Sequence, residues 1–180
     1  MELTKSEVRI QQGHAKAWEK GFSLIELLIV VAIILIIAAI AIPNLLRSKM
    51  AANEASAVGS VRTINTAEIT YSATWGVGYA TALSNLGGAA GCTASSTTAC
   101  LVDPVLSTGT KSGYTFLAAG GAAVGGIVNT YEVNATPVTV GTTGTRSFCS
   151  DQSGVIRYKT SGAAIGTAAG TCAAVTTVLQ

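Results

Sequence analysis

Between Phe22 and Ile42 the only polar side chains are Ser23 and a single carboxylate, Glu26. A carboxylate in an apolar run of bilayer length costs roughly 2.5–3.5 kcal/mol at mid-membrane and less near an end. Something must repay that cost, and local structure offers one account. Ser23-x-x-Glu26 has the spacing of a capping box, which would set the acid at the positive end of a helix dipole. A second account is that the charge meets an opposite charge from outside the helix. The two can coexist.

The other residues with chemical potential are sparse. His14, the chain's one histidine, precedes the apolar run. Outside the long N-terminal helix described below, the acids beyond residue 21 are Asp103, Glu132 and Asp151. In sequence they are too dispersed to suggest a pair of catalytic carboxylates. Asp151, in Asp151-Gln152-Ser153-Gly154, reads as an Asx-turn residue rather than a calcium ligand. Asn134-Ala135-Thr136 matches a glycosylation acceptor, a triplet that also arises by chance. Gly120-Gly121 and Gly125-Gly126 read as loop residues, since no strand–loop–helix context or lysine makes them phosphate-binding.

Cys92, Cys100, Cys149 and Cys172 form no Cys-x-x-Cys pair and have no histidine nearby, which argues against zinc and for disulfides. Disulfides imply an oxidising compartment. Four cysteines allow three connectivities, and sequence alone leaves them open. The favoured one is Cys92–Cys100 with Cys149–Cys172, because each pair brackets a Gly/Ala/Thr-rich loop. Closing those loops is worth roughly 2.5 and 3.5 kcal/mol by the chain-entropy relation.

These residues need elements to position them. Of 180 residues only 11% are charged and the net charge is +2, so no basic field exists to hold nucleic acid. From Leu27 to Ile42 the chain is apolar without a break. The 21 residues from Phe22 span about 31 Å as a helix, close to bilayer thickness. Lys5, Arg9, Lys16 and Lys20 on the N-terminal side favour a cytoplasmic leader. Pro43 costs roughly 3 kcal/mol inside a helix through its missing N–H and a clash with the Ala39 carbonyl. It is expected to kink the helix or give a place to unwind, and not to end it. Beyond it, Leu46, Met50, Ala57, Val61 and Ile64 make an apolar stripe, with Arg47, Lys49, Asn53, Arg62 and Asn65 on other faces. One helix over about 23–71 is predicted, with Gly59 as a second weak point.

Trp75-Gly76-Val77-Gly78 should stop that helix. Residues 72–180 carry only seven charges and are rich in Thr, Ser, Ala and Gly, a folded surface solvated by hydroxyls. Strand-like runs lie at 114–118, 130–134 with 138–140, 146–150 and 155–160, with a turn at Asp151–Gly154. Short connections favour an antiparallel meander, whose apolar face the amphipathic half-helix would cover.

A secretory signal is cut after its apolar region, at a small-residue site. Here Gly21 stands before that region, directly after Lys20. Lys20-Gly21-Phe22-Ser23-Leu24-Ile25-Glu26 at the head of the apolar helix resembles the type IV prepilin signal. The likeness continues through Ala41-Ile42-Pro43-Asn44-Leu45-Leu46 and residues 51–65, and is strong over about 20–70. The resemblance implies cleavage after Gly21 by a membrane peptidase and methylation of the new amino group of Phe22. Glu26 of one subunit would then neutralise the Phe22 ammonium of a neighbour, rewarding correct axial register. Leader removal would take His14 with it, leaving no histidine base for a Ser-His or Cys-His hydrolase.

The expected fold is therefore α+β and type IV pilin-like. It divides into a leader (1–21), an apolar helix half (22–43), an amphipathic helix half (44–71) and a head with a small antiparallel sheet (72–180). The expected function is that of a pilus subunit serving adhesion, twitching motility or DNA uptake, without catalytic residues, metal or cofactor. Its partners would be identical subunits, the prepilin peptidase, an inner-membrane assembly platform and, before assembly, the lipid bilayer. No specific nucleic acid or small molecule is expected. The subunit would sit in the inner membrane and then in an extracellular filament. Two rivals remain. A pseudopilin of a type II secretion system shares the signal, though resemblance to its major subunit would imply a calcium site of several acids in the last loops. An exported binding module would be cut after Ala41 and begin at Ile42.

Overall fold

A computed structural model describes residues 21–179, so the leader with His14 and Lys20 lies outside the described residues. Helix α1 runs Leu24–Trp75, and Pro43 sits inside it with helical residues on both sides. The chain divides into two compact units, Met1–Ala41 and Ile42–Gln180. The described part of the first is the head of α1, its large apolar side chains all exposed.

In the second unit, α1 ends at Trp75 because Gly76 turns into the left-handed region (φ +65°) that suits glycine. This end is four residues later than the sequence pattern predicts. Two one-turn helices follow, α2 (Leu83–Leu86) and α3 (Pro104–Ser107), the latter capped by Asp103 accepting from Leu106 N at 2.9 Å. The main sheet has the order β1 (Thr110–Lys111), β2 (Tyr114–Gly120), β5 (Tyr131–Pro137), β6 (Ser147–Asp151), β7 (Arg157–Lys159), every pair antiparallel. A two-stranded hairpin, β3 (Ala123–Val124) and β4 (Ile127–Val128), is inserted between β2 and β5. The Gly125-Gly126 turn joins it, while Gly120 belongs to the end of β2 and is not a loop residue.

The expected strand at 138–140 does not form. Pro137 ends β5, and the chain folds into a turn in which Thr143 Oγ1 bonds the backbone of Thr139. The strand expected at 155–160 shrinks to Arg157–Lys159, and its free edge is covered by the C-terminal segment. Tyr158 N donates to Thr177 O at 2.9 Å, and Leu179 N donates to Ile156 O at 2.8 Å. Both pairings blunt an edge that would otherwise template aggregation.

β5 is buried on both faces. Tyr131, Val133 and Ala135 join Phe116 and Phe148 against Ala57, Val61 and Ile64 of α1. The alternate residues, Glu132 and Asn134, must point the other way, and there they meet the C-terminal loop. Glu132 accepts from Gly170 N at 2.6 Å and Cys172 N at 3.1 Å, and Asn134 Nδ2 donates to Gly166 O at 2.9 Å. Cys149, Ile165, Cys172 and Val175 form a second small core there. The unit is thus three layers deep: half-helix, sheet, loop.

The helix face also departs from the expected one. Leu46 is exposed and Met50 only half-buried, while Asn65 is buried on the sheet-facing side. The buried row continues through Glu68 to Tyr71.

Candidate functional site

The head of α1 gathers the residues the sequence singles out. Gly21, Phe22 and Ser23 precede the helix and are exposed, and α1 begins at Leu24. Ser23 N donates to Glu26 Oε2 at 2.9 Å, the Glu26 half of a capping box, and Leu27 N closes the first turn on Ser23 O at 3.2 Å. Glu26 is therefore satisfied locally but stays exposed, so its charge is open to a further partner. Below it no described apolar residue from Leu24 to Ile37 is buried. An apolar helix with no covered face is stable in lipid or against other helices, not in water.

A family profile described as the prokaryotic N-terminal methylation motif matches residues 19–42. Over 35 residues the chain is 66% identical to the type IV wide pilus major component PilA4 of Thermus thermophilus. The N-terminal segment carries a prepilin methylation motif. The matched stretch is 19% of this chain and spans 27% of the relative's length. No solved structure matches the chain. Combined with a long N-terminal helix and the antiparallel sheet that follows it, the prepilin segment makes the arrangement α+β and type IV pilin-like.

The pilin-like head is built on polar residues that sequence reasoning passed over. Glu54 is nearly buried in α1. Burial alone would raise its pKa. Bonds from Thr145 N (2.8 Å), the Arg146 guanidinium (2.8 Å), Thr145 Oγ1 and Arg146 N outweigh burial and hold it below the usual carboxylate range. Arg146 in turn lies over the rings of Phe148 and Tyr158. Asn65 donates to Ser150 Oγ at 2.8 Å and accepts from Tyr131 Oη at 3.2 Å. Glu68 has no exposed surface: one oxygen accepts from Ala80 N at 2.8 Å and the other has no partner among the described residues. Desolvation pushes its pKa up to about 7.

The disulfides join Cys92 to Cys100 and Cys149 to Cys172. The second pair is wholly buried between β6 and the C-terminal loop. Asp151 forms the Asx turn, its Oδ1 accepting from Ser153 N at 2.8 Å. The acids are less dispersed than their spacing implies: Glu132 and Asp151 are directly opposite in the β5–β6 register and both buried. Burial raises the pKa of Glu132, and the Asp151 charge adds to that. Glu132 spends both oxygens on backbone N–H groups of the loop, which is structural work. Asn134 is buried in β5, which removes it as a glycosylation acceptor in the folded chain.

Proposed function

We propose that this chain is the structural subunit of a type IV pilus, made as a membrane-anchored prepilin and assembled into a surface filament of identical subunits. The carrying observation is one helix head where two features coincide. The methylation motif spans residues 19–42, and the apolar run within it is bare of cover. The wide-pilus role of the Thermus relative supports the same reading over the matched residues.

In this mechanism a prepilin peptidase cuts between Gly21 and Phe22 and methylates the new amine. The apolar half of α1 stays in the inner membrane until an assembly platform draws it into the filament. There it trades lipid for neighbouring helices. Glu26 then meets the ammonium of a neighbour's Phe22, and a subunit out of register would leave both charges buried and unpaired. The capping bond from Ser23 N leaves Glu26 Oε1 for that pairing. The role is structural, not catalytic.

Mass spectrometry of the N-terminal peptide from sheared surface filaments tests this. The expected peptide begins at N-methylated Phe22. A peptide beginning at Ile42 would mean an exported module. Processed Phe22 confined to the membrane, with none of the chain in surface filaments, would favour the pseudopilin.

A further inference from the structure

Past the end of the apolar run, α1 carries two cations that nothing in the chain explains. Residues 42–49 are all exposed, and neither Arg47 nor Lys49 forms an ion pair with any described residue. We propose that Arg47 and Lys49 form a collar that binds anionic phospholipid headgroups on the exported side of the membrane. The collar holds the subunit there before it enters a filament. The inference rests on the membrane-anchored reading above.

Charge accounting selects the occupant. Among the described acidic side chains, Glu54 is bound to Arg146, Asp103 to Lys111, and Glu68, Glu132 and Asp151 are buried. Glu26 has the Phe22 amine as its filament partner. A second copy of the chain therefore has no free acidic side chain among the described residues to offer Arg47 or Lys49. The negative charge must come from elsewhere.

Axial position points to lipid. Arg47 and Lys49 lie five and seven residues beyond Ile42, about 7.5 and 10 Å along a helix. The polar headgroup layer adds roughly 5–8 Å on each side of the hydrocarbon core. Long cationic side chains can reach back by several ångströms to meet it. Angular position agrees: two residues apart on a helix is about 200°, so the cations point to opposite sides. A protein groove reads one helix face, whereas a headgroup layer surrounds the helix. Leu45 and Leu46, both exposed, lie beside them as apolar contacts for the interface. Cations on the translocated side also work against the charge bias that orients a span, so their presence there calls for a use.

The test uses the full chain in vesicles of phosphatidylcholine with a minority of phosphatidylglycerol, extracted in mild detergent. The retained lipid is counted by mass spectrometry. Wild type should retain phosphatidylglycerol over phosphatidylcholine by on the order of fivefold per cation at low salt, less at high salt. Arg47→Gln with Lys49→Gln should abolish the preference. Arg62→Gln should keep it, because Arg62 lies about 30 Å beyond Ile42 along α1. No preference in wild type, or an unchanged one in the double variant, overturns the collar. If wild type has no preference but the double variant loses its filaments, the cations serve an acidic protein partner and the lipid assignment is wrong. A chain that inserts into neither lipid overturns the membrane reading itself, which separates that failure from failure of the collar.

Discussion

Glu68 is a carboxylate in a wholly buried environment. Its carboxyl is held near pKa 7 by burial, against an ordinary value of 4.5. A raised folded-state pKa means the folded chain binds the proton more tightly than the unfolded chain. The stability this gives is full below about pH 4.5 and is lost as pH rises through 7. The full swing is up to about 3 kcal/mol. Glu68→Gln keeps an acceptor for Ala80 N and removes the charge. It should therefore raise the melting temperature at pH 8 and flatten the fall between pH 5 and 8. Parallel pH dependence of the melting temperature for the two proteins would show that the Glu68 pKa is not raised by folding. Sequence reading missed this residue for a definable reason. The buried row Glu54, Ala57, Val61, Ile64, Glu68, Tyr71 has alternating spacings of three and four, but a search for apolar side chains stops at Ile64. Taking polar residues at the same phase would have found both acids. The Glu132–Asp151 pairing carried no such clue, because strand register is fixed by tertiary contacts that spacing does not encode.

At the scale of elements, sequence anticipated the helix on one face of the sheet but not the loop on the other. Periodicity reports a covered apolar face, and the second face of β5 is polar: Glu132 and Asn134 bind backbone groups of the loop. Polar alternation ordinarily means solvent, so only the cysteines hinted at a cover. The loop has little else to order it beyond these bonds, Ser147 Oγ to Ala163 O at 2.7 Å, and the small core around Cys149 and Cys172. Replacing both Cys149 and Cys172 with Ser should cost roughly 3.5 kcal/mol from lost loop closure. It also puts two hydroxyls into that core. Lower thermal stability and lower abundance after export are expected. Unchanged values for both would mean the Glu132, Asn134 and Ser147 bonds suffice alone.

Over the whole molecule, the two halves of α1 differ in cover, the apolar half exposed and the other half contributing Ala57, Val61 and Ile64 to the core, and this was legible in outline because composition alone separates them. A chain beginning at Met50 keeps the helix face covered by the sheet and loses the apolar run. It should be soluble and monomeric, and aggregation despite correct disulfides would mean that Val61, Ile64 and Tyr71 are not held against the sheet in solution. On the proposed pairing, assembly would turn on one charge. Glu26→Gln keeps the side-chain shape and an acceptor for Ser23 N, but it loses the negative charge. If Glu26 only caps the helix, the change costs at most about 1 kcal/mol and filaments still form. If it pairs with a neighbour's Phe22, each subunit leaves an ammonium unpaired in an apolar filament core, at a cost of several kcal/mol. A filament repeats that cost at every subunit, so assembly should fail or fall sharply. Peptidase processing and membrane insertion should continue, because neither uses the charge. The measurement is therefore paired, sheared surface filament against cleaved subunit in the membrane, for wild type and variant. Abundant filaments from Glu26→Gln would leave the carboxylate as a helix cap, and axial register would then have to come from the packing of the apolar half of α1.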